Sequence, residues 1–212
     1  MDLKINEIFY SIQGESSYLG YPCVFVRLSG CNLRCRYCDT TYAYEEGSYL
    51  SPKELFEIIG SYKTRLVTIT GGEPLLQPQV VPFIKSLLEK GYQVLVETNG
   101  SLPISVLPEG ANVVMDIKCP GSGMSDFMCW ENINFIKPTD EVKFVLTNRE
   151  DYEWAKAVLK KYDLSKRCQI LFSAVFKELK LKELAEWILK DQIWVRLQPQ
   201  LHKIIWGEKR GR

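Results

Sequence analysis

Short apolar runs alternate along this chain with segments of helical period, and a chain patterned in that way has few folds open to it. The runs fall at residues 21–29, 66–70, 92–98, 113–118, 142–147, 168–173 and 193–198. In the first of them Phe25 and Arg27 share one face while Val24, Val26 and Leu28 share the other, as a strand requires. Ser51-Pro52-Lys53-Glu54 is a capping box with proline at the first helical position, which predicts a helix running to about Gly60. Val80, Val81, Ile84, Leu87 and Leu88 recur at helical spacing until Gly91. Two later segments place Ala155, Val158, Leu159 and Tyr162, then Leu181, Leu184, Ala185 and Ile188, on one helical face each. Strands separated by helices pair in parallel, so the expected fold is α/β, a partial (open) β/α barrel of about six parallel strands. A closed eight-unit barrel usually takes about 250 residues, more than the 212 present. In either form chemistry gathers at the carboxyl ends of the strands.

Composition narrows the classes of function. Hydrophobic residues make up 46% and charged residues 25%, with no repeat, low-complexity tract or linker, so residues 1–212 read as one domain. Lys and Arg number 27 against 26 Asp and Glu, which leaves no basic field to hold nucleic acid by counterion release. No apolar run approaches the roughly 18 residues that mark a membrane span. The first residues lack the basic, apolar and small-residue regions of a secretory signal, so the expected location is cytoplasmic. The seven cysteines are an odd count, which in a reducing compartment argues against a disulfide framework.

Cys31, Cys35 and Cys38 fall in one octapeptide directly after a strand ending Ser29-Gly30, while Cys23, Cys119, Cys129 and Cys168 are scattered singly. Soft thiolates so spaced suit zinc or an iron-sulfur cluster. A structural zinc site is normally closed by four protein ligands, and the sole histidine, His202, lies far along the chain. A cubane held by three thiolates instead keeps one iron open to a further ligand. Later in the chain stands Gly71-Gly72-Glu73-Pro74, whose glycines permit close backbone approach and whose carboxylate can accept from an ammonium. C-x3-C-x2-C followed by this turn resembles the radical S-adenosylmethionine superfamily. The resemblance implies a 4Fe-4S cluster on Cys31, Cys35 and Cys38, S-adenosylmethionine chelated at the unique iron, and cofactor contacts from Gly72 and Glu73.

Residues 8–16, Cys38-Asp39-Thr40, residues 116–124 and residues 197–203 extend the resemblance to one branch of that superfamily. Its members are carbon-nitrogen lyases that convert 6-carboxy-5,6,7,8-tetrahydropterin to 7-carboxy-7-deazaguanine with release of ammonia, in queuosine and deazapurine synthesis. This resemblance implies Mg²⁺ at Thr40, substrate contacts from Ile12, Gln13, Gly14, Glu15, Arg27, Thr70 and His202, and cofactor contacts from Asp116, Ile117 and Lys118. It also implies that the N-terminal and C-terminal segments extend the domain toward the substrate site. No catalytic side chain is required, because the cofactor carries the difficult step. The implied partners are the pterin, an external electron donor such as flavodoxin or ferredoxin, and a second copy in a homodimer. Two other readings stay open on the residues: a glycyl-radical activating enzyme acting on a partner protein's backbone, and a non-catalytic zinc or iron-sulfur module. Thr40 and Gln13-Gly14-Glu15 count against the first, and the glycine turn at a strand end counts against the second.

Overall fold

The structure, a computed structural model, describes residues 2–212. Strands β1 (Leu3–Ile12), β2 (Pro22–Leu28), β3 (Ser48–Leu50), β4 (Leu66–Gly71), β5 (Gln93–Thr98), β6 (Asn112–Asp116), β7 (Glu141–Leu146), β8 (Gln169–Ala174) and β9 (Arg196–Leu197) form one nine-stranded open sheet. Its order is β3-β1-β2-β4-β5-β6-β7-β8-β9. Every neighbouring pair from β2 to β9 is parallel, while β1 and β3 add antiparallel at one edge. The α/β architecture expected from the pattern is present, with seven parallel strands where about six were expected. The antiparallel edge escapes sequence reading for a local reason. Pairing of β1 with β2 shifts between Ile5 and Glu7, and such a bulge breaks the period-two alternation that marks a strand.

Helices α1 (Pro52–Gly60), α2 (Val80–Glu89), α3 (Arg149–Tyr162) and α4 (Leu181–Asp191) occupy the connections, and a short α5 (Leu201–Trp206) follows β9. The Ser51 side chain accepts from the Glu54 N–H and the Glu54 carboxylate accepts from the Ser51 N–H, closing the box read from the sequence. Strand periodicity then decides what faces the helices. Val24, Val26, Leu28, Val67, Ile69, Val94 and Val96 pack with Leu55 and Ile59 of α1 and Phe83, Ile84 and Leu87 of α2. Farther along the sheet Val142, Phe144, Ile170 and Phe172 pack with Tyr152 and Ala155 of α3 and Leu184 and Ile188 of α4. Each such side chain contributes about 1.5–3 kcal/mol by leaving water. The alternate residues therefore point the other way, into the concave side. There Phe9 and Phe25 stack with ring centroids 4.8 Å apart, beneath a polar cavity at the carboxyl ends of the strands. Among the described residues no helix is long and apolar enough to cross a membrane.

Candidate active site

The cavity measures about 570 Å³ and is lined by residues from β1 through α5. Cys31, Cys35 and Cys38 form part of its wall, on the loop that leaves β2. That loop is held by the glycine turn after β4. Glu73 N–H donates to Gly30 O at 2.8 Å, and Gly72 N–H donates to Leu28 O at 3.3 Å. A Cβ on Gly72 would collide with Gly30 O and Cys31 Cβ, and one on Gly71, at φ +156°, would strike the Leu28 backbone. Glycine is thus what lets the end of β4 touch the root of the cysteine loop. Burial pushes the Cys31 and Cys35 thiols above their ordinary range, and the Lys118 ammonium works against that rise.

The cavity wall also carries a paired set of charges. Lys143, in mid-strand on β7, reaches Glu15 Oε2 at 2.8 Å and Asp116 Oδ2 at 3.7 Å, and Lys118 reaches Asp116 Oδ2 at 2.9 Å. Gln200, just before α5, donates to Glu15 Oε1 at 2.9 Å. Burial opposes the charge on Glu15, but Lys143, His202 and these hydrogen bonds hold its carboxyl down at about 2. Burial likewise opposes the charges on Lys143 and Lys118, yet the facing carboxylates keep both ammonium groups well above the ordinary lysine value. Asp116 Oδ1 is buried with no hydrogen-bond partner, an acceptor at the cavity wall left for something else to satisfy.

Most of the residues singled out in the sequence meet at this cavity. Ile12, Gln13, Gly14, Glu15, Arg27, Thr40, Thr70, Gly72, Asp116, Lys118 and His202 all line it with the three cysteines. His202 packs against Gly14 so closely that a Cβ there would overlap the imidazole, which joins the segment after β1 to α5. Several of these groups are spent on one another. Arg27 Nε donates to Glu7 Oε1 at 2.8 Å, and Gln13 Nε2 donates to Thr68 Oγ1 at 3.0 Å while its Oε1 accepts from the Glu15 N–H. Thr40 Oγ1 donates to Asp39 Oδ1 at 2.9 Å, and the other Asp39 oxygen holds Lys203 Nζ at 2.6 Å. Asp39 is exposed, and Lys203 and Thr40 draw its carboxyl down to about 2.

Two of the residues singled out in the sequence turn their side chains away from the cavity. Glu73 does not reach the cavity: fully buried, its carboxylate accepts from the Leu75 N–H, the Thr98 hydroxyl and the Asn99 N–H. It is an internal clamp, and burial raises its carboxyl above the usual range. Ile117 points away into the core, because alternation sends Asp116 and Lys118 to one side and the residue between them to the other. Sequence reading also missed Glu97 at the end of β5, which accepts from Thr70 Oγ1 at 2.9 Å, and Lys143. The only sequence cue to either is a charged residue set within an otherwise apolar strand.

A strand-borne cysteine loop braced by a glycine turn at the open end of a parallel sheet is the site of a radical S-adenosylmethionine protein. The chain matches the Radical SAM superfamily over residues 25–162, from β2 through α3. Within that superfamily the chain belongs to the 7-carboxy-7-deazaguanine synthases. It is 42% identical to the 7-carboxy-7-deazaguanine synthase of Koribacter versatilis over 96% of this chain and 97% of that one. It is also 42% identical to that of Chlorobaculum tepidum, over 97% and 94%. The crystal structure of QueE from Escherichia coli shares the fold, with a TM-score of 0.79 at 24% identity over 95% of each chain.

The superfamily implies a 4Fe-4S cluster and S-adenosylmethionine, and the donor set fits both. Among the described residues no three Cys, His, Asp or Glu side chains gather closely enough to share one metal ion. Three thiols on one loop can instead serve separate irons of a cluster. The unpaired Asp116 Oδ1 and the bare backbone of Gly71 and Gly72 offer polar contacts to an adenosyl amino acid beside them. Gly72→Ala is expected to cost about 1–3 kcal/mol through overpacking and to lower iron content by displacing Cys31. Thermal melting and iron and sulfide analysis check this, and a variant with parental values for both would contradict it.

Proposed function

We propose that this protein is a radical S-adenosylmethionine lyase that converts 6-carboxy-5,6,7,8-tetrahydropterin to 7-carboxy-7-deazaguanine with release of ammonia. The reading is supported by the family and carried by one observation. A single cavity is lined both by the cysteine loop and by Gln13-Gly14-Glu15 and His202 from distant parts of the chain. When bound, the cluster and S-adenosylmethionine supply reversible hydrogen-atom abstraction. The chain's own residues bind, orient and exclude water.

Cys31, Cys35 and Cys38 would hold the cluster, with Lys118 beside them as a counter-charge. Asp116, Lys118 and the Gly72 backbone would hold the adenosyl amino acid. Arg27 is already turned by Glu7, and its remaining guanidinium donors suit a bidentate contact to the substrate carboxylate. Gln13, Gly14, Glu15, Thr70 and His202, with Ile12 at the end of β1, would surround the heterocycle, exchanging some of their mutual hydrogen bonds for bonds to it. Thr40 would contribute one oxygen to a Mg²⁺ shell completed by substrate and water oxygens. We also place a low-potential donor of the flavodoxin or ferredoxin kind upstream. A homodimer is supported by the position of β9 at the edge of the sheet and by the neighbouring Trp194, 87% exposed.

Anaerobic reconstitution with iron and sulfide, then assay for 5′-deoxyadenosine and the deazapurine with and without the carboxytetrahydropterin, tests the reading. Pterin-dependent product supports it; cofactor cleavage indifferent to the pterin overturns it. Thr40→Ala is expected to raise the Mg²⁺ concentration for half-maximal turnover at least about tenfold with the cluster's visible absorption unchanged. An unaltered Mg²⁺ titration removes Thr40 from the ion.

A further inference from the structure

The sulfur of Cys31 receives two N–H groups, the backbone N–H of Leu33 at 3.4 Å and the side-chain amide of Asn99 at 3.8 Å. The second is built with care. Asn99 follows β5 and is 7% exposed, and its backbone N–H donates to Glu73 Oε2 at 2.7 Å. Its Oδ1 accepts from the Ser101 N–H at 3.0 Å and the Ser101 hydroxyl at 2.6 Å. With the oxygen so engaged, the amide can face only one way, and Nδ2 is turned to Cys31 Sγ and to Asn32 Oδ1 at 3.2 Å. The Glu73 carboxylate that fixes this arrangement comes from the same turn whose Gly72 abuts Cys31.

We propose that Asn99 is a positioning residue that raises the reduction potential of the cluster by hydrogen-bonding to Cys31 Sγ, and that Glu73 holds Asn99 in place for this purpose. The proposal rests on the cysteines being cluster ligands. Reduction adds one electron, whose charge is shared with the thiolate sulfurs. A donor on sulfur therefore stabilises the reduced cluster more than the oxidised one. Removing the donor makes the cluster harder to reduce. No proton or other atom changes hands.

The test is a redox titration of the anaerobically reconstituted full chain, followed through the electron paramagnetic resonance of the reduced cluster, with iron content measured in parallel. In Asn99→Leu the reduced-to-oxidised ratio at a fixed potential should fall about fivefold to tenfold, tenfold being ~59 mV for one electron. Ser101→Ala frees the amide without removing it and should shift the ratio the same way by less. Full cluster loading with both ratios at the parental value overturns the proposal. If Asn99→Leu loads no cluster, Ser101→Ala decides by the same criterion. A parental chain that loads no cluster would fail differently, overturning the cluster reading and this proposal with it.

Discussion

Lys143→Met is expected to destabilise the fold by about 3–5 kcal/mol, the cost of leaving buried charge without its partner. Lys143 is half of a largely buried pair with Glu15 at 2.8 Å, their side chains 14% and 15% exposed, and stands 3.7 Å from Asp116. A methionine would fill its volume and leave two carboxylates facing one another across the cavity wall. Glu15 would then lose the charge that keeps its carboxyl near 2 and titrate at higher pH. The sign follows from linkage. A carboxyl depressed on folding contributes stability that is fully present above its unfolded value of about 4.3 and is lost as pH falls toward the folded value. The parent should therefore keep this contribution at pH 7 and lose it progressively between about 4.3 and 2. The variant should start lower and show a weaker acid limb below pH 4.3. Urea unfolding at pH 7 and at pH 3.5 reads both. A variant within about 1 kcal/mol of the parent at pH 7, with the same acid limb, would show that the pair adds nothing.

Cys35→Ala should abolish cluster assembly and all turnover while leaving the fold in place. Cys35 is on a half-buried loop outside both main apolar clusters, so the sheet does not depend on its side chain. A cluster that keeps one iron open has no protein ligand in reserve, and the scattered cysteines are poorly placed to substitute. Cys23 is fully buried beneath the cavity, with its thiol pushed up to about 12 by desolvation. Cys23→Ala is the natural control and should retain the cluster. Visible absorption, iron and sulfide content, and 5′-deoxyadenosine formation are the readouts. An intact cluster spectrum with full activity in Cys35→Ala would refute the ligand assignment.

Much of this site is legible in the chain because its motifs are local. The cysteine loop, the glycine turn and the capping box each depend on residues within a few positions, and the parallel strands announce themselves as apolar runs. What stayed hidden depends on distance. Glu73 looks like a free carboxylate until the fold brings Thr98 and Asn99 to it from β5. Ile117 sat inside a polar motif, and only the pleat assigns its neighbours to the cavity and Ile117 itself to the core. Lys143 reads as an ordinary interruption of an apolar run, because its partner Glu15 is 128 positions away. The β1 edge was lost to a bulge, which spoils the one periodic cue a strand has.

The joining of Gly14 to His202 and of Glu15 to Gln200 has a temporal consequence. As the polypeptide emerges from the ribosome, the cysteine loop is synthesised early, but its cavity cannot be sealed until the segment 185 positions beyond Glu15 has followed. The wall of this site is thus a late-forming part of the fold, complete only when residues 185 positions apart have met.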